Sequence, residues 1–140
     1  MKRALIAASA AAVLMLAGLM AAGEYLGYPA HRTLGPAPAE LHATAVTIRA
    51  VAHSHVSGWL IPGKPRAGVV LLLHGVRADR REMLGRAVIS IGLGYGILPI
   101  DLPAHGESQD DHITFGAREA RACGPHWPFW SAINQASRWA

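Results

Sequence analysis

Residues 68 to 108 read GVVLLLHGVRADRREMLGRAVISIGLGYGILPIDLPAHGES, and the fold turns on how this stretch divides. Val69 to Leu73 is an unbroken apolar run of strand length. Continuous apolarity, rather than alternation, predicts burial on both faces, as in a central strand of a parallel sheet. Asp79 to Leu93 follows with helix formers; Asp79 suits the capping position, and Met83, Leu84, Val88 and Ile91 fall at helical spacing. Gly92, Gly94 and Gly96 end that helix, and Ile97 to Ile100 is a second apolar strand, stopping at Asp101 and Pro103. Strand, helix, strand over about 33 residues is a βαβ unit, which predicts an α/β fold with a mainly parallel sheet.

Upstream, Ala43 to Ala50 (ATAVTIRA) and Ser54 to Pro62 (SHVSGWLIP) read as two neighbouring short strands, so the domain is expected over residues 43–122. Residues 24–42 carry three prolines and two glycines, the composition of a connector. Before them, Lys2 and Arg3 precede Ala4 to Gly23, an uncharged stretch with 17 apolar positions out of 20. That pattern directs a chain to a membrane. Its length favours an uncleaved anchor, whereas its many alanines and the small residues Ala21, Ala22 and Gly23 would suit a cleaved signal peptide. In either case the basic N-terminus stays cytoplasmic and the domain is expected on the outer side, membrane-tethered or secreted.

The net charge of +4 owes two units to Lys2 and Arg3, leaving the rest of the chain nearly neutral. Arg77, Arg80, Arg81 and Arg86 are interleaved with Asp79 and Glu82, which reads as a solvated helix face, not a phosphate-tracking stripe; no nucleic-acid partner is expected. One cysteine, Cys123, excludes an internal disulfide, and no Cys/His quartet suits zinc.

Open parallel sheets carry their sites at the carboxyl ends of the strands. Here those ends bear His74-Gly75-Val76-Arg77 and Asp101-Leu102-Pro103-Ala104-His105-Gly106-Glu107-Ser108. Together they resemble the α/β-hydrolase family, in particular its lysophospholipase-like and serine-aminopeptidase-like branch. Phe115 to Ala120 resembles the start of the helix before that family's nucleophile strand, so the resemblance covers about residues 43 to 121. It implies a serine hydrolase acting on an ester, thioester or amide, without metal or organic cofactor. It also implies that the Val76 backbone N–H is one oxyanion donor and that His74 and Gly75 shape its loop. Asp101, His105, Gly106 and Ser108 would form the loop beside the pocket.

The same resemblance exposes a gap. No serine here lies in a G-x-S-x-G elbow: Ser108 has Gly106 two before it, but Asp110 where the second glycine belongs. The chain is therefore expected to be the N-terminal part of such a fold, truncated or frameshifted near Ala122, without nucleophile, acid or base and inactive alone. Residues 123–140, with Trp127, Trp130 and Trp139, form an atypical tail. The alternative is a non-catalytic, membrane-tethered remnant or interaction protein. Truncation would also leave Val69 to Leu73 as an apolar sheet edge, open to pairing.

Other candidates are weaker. His53 and His55 share one face of a strand, but no third ligand follows, so no metal site is expected. Cys123 and His126 are separated by Gly-Pro, which defines no geometry for a nucleophile and base. His31, His42, His112 and His126 are expected to face solvent, and Trp59 to pack within its strand.

Overall fold

The structure, a computed structural model, describes residues 1–49 and 55–122. His53, Ser54, Cys123, His126 and the tail 123–140 lie outside the described residues.

A long helix, α1 (Lys2–Gly27), opens the chain; only Gly27 in it is buried. A short strand β1 (Ala30–His31) follows, then β2 (Thr44–Arg49) and β3 (His55–Leu60), where the two extended stretches were expected. β4 (Val69–Leu73), a 3-10 turn at Arg80–Met83, α2 (Leu84–Gly92) and β5 (Gly96–Ile100) make the βαβ unit. A two-residue strand β6 (His105–Gly106) and a short helix α3 (Glu119–Ala122) complete the described chain. This is a mixed α/β fold.

The main sheet has the order β2-β3-β5-β4, with β4 and β5 parallel and the other neighbours antiparallel. β5 is buried throughout, as its continuous apolarity requires. β4 has the same composition but is only half-buried, because β5 is its sole partner among the described strands. Alternation divides the core into two layers. Leu98 and Ile100 pack with Ile48, Val56, Val69 and Leu71 on one face, and Ile97 packs with Ile61, Val70, Leu72 and Ala87 on the other.

α2 covers that second face through Ala87 and Ile91, and Met83, at the end of the 3-10 turn before it, is also buried. Val88, expected on the buried side, is exposed: it follows Ala87 by one residue and so turns about 100° away from it. The Asp79 carboxylate accepts the Arg81 backbone N–H at 3.1 Å, so the expected cap is made, but it starts a 3-10 turn that leads into the α-helix.

Candidate functional site

Parallel pairing in the register Leu73↔Ile100 brings the loops after β4 and β5 side by side. Two imidazoles then cross-link them reciprocally. His74, from the first loop, accepts the Leu102 N–H at Nε2 (2.9 Å); His105, from the second, accepts the Arg77 N–H at Nε2 (3.0 Å). With each Nε2 an acceptor, each Nδ1 must carry the proton, and these donate to the Gly75 and Pro103 carbonyls at 2.7 and 2.8 Å. Both rings are therefore neutral in this arrangement, buried, with centroids 4.9 Å apart. Burial pushes the His105 pKa below its ordinary value, and the neighbouring His74 adds to that, against the opposing pull of the Pro103 carbonyl.

These bonds leave the backbone of residues 75 to 78 with a specific shape. Ala78 N–H returns to the Gly75 carbonyl at 3.3 Å, Arg77 adopts a left-handed φ of 60°, and its N–H is taken by His105. Among the described residues no acceptor meets the Val76 N–H, and the space beside Gly75 is open. A fixed backbone donor with no protein acceptor is what charge developing on a carbonyl oxygen requires.

The Asp101 carboxylate lies beneath the second loop, fully buried. It accepts the Arg80 N–H (2.8 Å), the Arg80 guanidinium (2.8 Å) and the Glu107 N–H (2.9 Å). The Ser108 hydroxyl donates to the Asp101 carbonyl at 2.6 Å and accepts the Ser57 N–H at 2.9 Å, pinning the loop to β3. Gly106 passes directly over Asp101, and a Cβ there would fall 2.3 Å from its carboxyl group. All seven candidate residues thus belong to one pair of loops: His74, Gly75 and Val76 along the first, Asp101, His105, Gly106 and Ser108 along the second.

Sequence reasoning missed Arg80. It reads as part of a solvated arginine face, yet it is buried, ion-paired to Asp101 and Glu107, with its guanidinium 4.5 Å from the centre of the Trp59 ring. Arg81 next to it is the solvated one, and its side-chain hydrogen bonds, more than those of Arg32, hold the Asp79 carboxyl well below the usual range. No local pattern separates the two arginines; Arg80 is drawn in because the first turn of the helix passes over the end of β5.

Residues before the domain also reach the site. β1 pairs in parallel with β6, with Ala30 N–H on the Ala104 carbonyl (2.8 Å) and Arg32 N–H on the Gly106 carbonyl (2.9 Å). The Arg77 side chain bonds the Tyr25 and Tyr28 carbonyls at 3.2 and 3.1 Å and lies over the Tyr25 ring. Among the described residues no group of His, Cys, Asp and Glu could hold a metal ion. His31, His42 and His112 are exposed.

No family model and no curated protein matches this chain. Solved structures do. One crystal form of an esterase from Pyrococcus furiosus is 28% identical, with a TM-score of 0.55 over 68% of this chain and 37% of the esterase. A second crystal form of that esterase is 26% identical, with a TM-score of 0.58 over 66% of this chain and 38% of the esterase. The chain therefore has a hydrolase-like fold and spans well under half the length of the esterase it matches.

Proposed function

We propose that residues 43–122 are the oxyanion-donating part of a serine hydrolase of the lysophospholipase-like or serine-aminopeptidase-like kind, cleaving an ester, thioester or amide bond. The single observation that supports this best is the reciprocal pair of imidazole-to-amide bonds, which ties both loops together beside a Val76 N–H that has no acceptor among the described residues. In this reading Val76 supplies one donor to the oxyanion, His74 and Gly75 set the loop that presents it, and Asp101, His105, Gly106 and Ser108 form the adjoining wall. The nucleophile, its base and the acid come from sequence outside these 140 residues, and the chain by itself does not turn over an ester. The reaction uses side chains and backbone donors without a cofactor. Residues 4–23 of α1 anchor the product in the cell membrane with the domain outside.

The side of β4 that has no partner among the described strands favours a second reading, a membrane-tethered protein that binds a partner by strand addition. One experiment separates the two. Membranes of the source cell are treated with a fluorophosphonate probe, and the product is recovered with an antibody to residues 24–42. The hydrolase reading predicts a covalently labelled product, with labelling slowed about 10²- to 10³-fold by Val76→Pro, which removes the donor N–H. An unlabelled product that continues past residue 140 contradicts the hydrolase reading and leaves strand addition.

A further inference from the structure

The end of α1 and the candidate oxyanion loop are one connected piece. α1 has 26 residues and is long and apolar enough to cross a membrane, with its apolar stretch unburied. Its uncharged part, residues 4–23, is about 30 Å long at 1.5 Å per residue, which matches the hydrocarbon thickness of a bilayer. Glu24 is the first charge after it, so the last turn, Glu24 to Gly27, enters the headgroup layer, which is about 5–7 Å deep on each side. Tyr25 and Tyr28 are exposed there, at the depth that tyrosine favours.

That last turn does not end in a free connector. Arg77 takes the Tyr25 and Tyr28 carbonyls, Ile113 N–H takes the Gly27 carbonyl at 2.9 Å, and only Tyr28 and Pro29 separate α1 from β1, which pairs with His105 and Gly106. A guanidinium on the carbonyl end of a helix is also favoured by the helix dipole. The neighbour of Arg77 in the chain is Val76. The apolar side chains of Val76, Leu26 and Phe115 are exposed in the segments that make these contacts.

We propose that α1 and residues 74–78 form a rigid hook that holds the Val76 N–H at headgroup depth, so that the partner of this face is a lipid surface. The ester carbonyls that reach it first are then those of amphiphiles lodged at the boundary between headgroup and hydrocarbon. This substrate class rests on the hydrolase reading above; the placement of the loop does not.

The placement is tested on the full chain in vesicles of phosphatidylcholine with phosphatidylglycerol. A nitroxide is attached at Val76→Cys in a Cys123→Ser background, and its accessibility to a water-soluble nickel chelate is compared with a label at Lys64→Cys, near Gly94 at the opposite end of the sheet. The hook predicts chelate accessibility at least about threefold lower at position 76 than at position 64, the contrast between headgroup layer and bulk water. Adding Arg77→Ala is expected to restore water exposure at position 76 while α1 stays inserted. Equal accessibility at positions 76 and 64, or loss of α1 from the protein recovered from the source cell, overturns the hook. Fluorophosphonate labelling is read separately, on the product from source-cell membranes that continues past residue 140, so labelling of that product with Val76 in bulk water refutes the hook alone, and no labelling with a shielded Val76 refutes the hydrolase reading and its substrate class alone.

Discussion

Two glycine substitutions measure how firmly the second loop is held. Gly68 and Gly106 both have positive φ, +83° and +49°, but a Cβ at Gly68 would meet nothing within 4 Å, whereas at Gly106 it would fall 2.3 Å from the Asp101 carboxyl. Gly68→Ala should therefore cost only the left-handed backbone term, about 1–2 kcal/mol. Gly106→Ala carries that term and must also displace a short carboxylate held by Arg80 N–H, the Arg80 guanidinium and Glu107 N–H. Losing even one such bond costs about 1.5–3 kcal/mol, so the total is about 3–5 kcal/mol. The assay is urea unfolding of the full chain in detergent micelles, followed by tryptophan fluorescence, to which Trp59 beneath Arg80 contributes. With a slope of about 1–3 kcal/mol per molar urea, that difference of about 1.5–3 kcal/mol puts the midpoint for Gly106→Ala about 0.5–3 M below that for Gly68→Ala. Midpoints agreeing within about 0.3 M would mean that Asp101 moves freely, and the description of a locked loop would be wrong.

Arg80→Met leaves the Asp101 carboxylate buried with only two backbone donors; it should destabilise by about 3–5 kcal/mol in the same assay, and Arg80→Lys should rescue little because an ammonium cannot fork between Asp101 and Glu107. Asp79→Ala removes the cap and the bonds to Arg81 and Arg32, and a loss of about 1–2 kcal/mol of stability is expected from urea unfolding. His105 is held neutral by burial, so its contribution is complete above the ordinary pKa of 6.5 and is lost as the pH falls from there through the lowered value. Urea midpoints measured across that window should fall for the native chain and fall less for His105→Gln, which cannot be protonated; parallel curves would refute the assignment.

The βαβ unit was legible because its signals are local: an apolar run, an Asp cap, a helical stripe and a glycine-rich stop. The half-burial of β4 does not follow from its composition, which is that of a central strand; it agrees with the sheet edge expected at Val69 to Leu73, since β5 is its sole partner among the described strands. Within the site, the residue types after each strand were readable from the resemblance, but the cross-linking was not. His74 reaches Leu102 and His105 reaches Arg77, contacts that exist only when β4 and β5 are in register. Arg80 was misread for a related reason: its partners Asp101 and Glu107 are 21 and 27 residues away, and nothing nearby in sequence distinguishes it from Arg81. The docking of residues 30–32 onto the second loop was equally silent, because proline-rich sequence encodes no pairing partner.

The proposal that these loops belong to a hydrolase is tested most directly by sequencing the coding DNA from codon 115 onward, with translation in all three frames. A hydrolase requires a frame that continues the helix begun at Glu119 and reaches a G-x-S-x-G elbow on the next strand. Downstream DNA with no such elbow in any frame would contradict it.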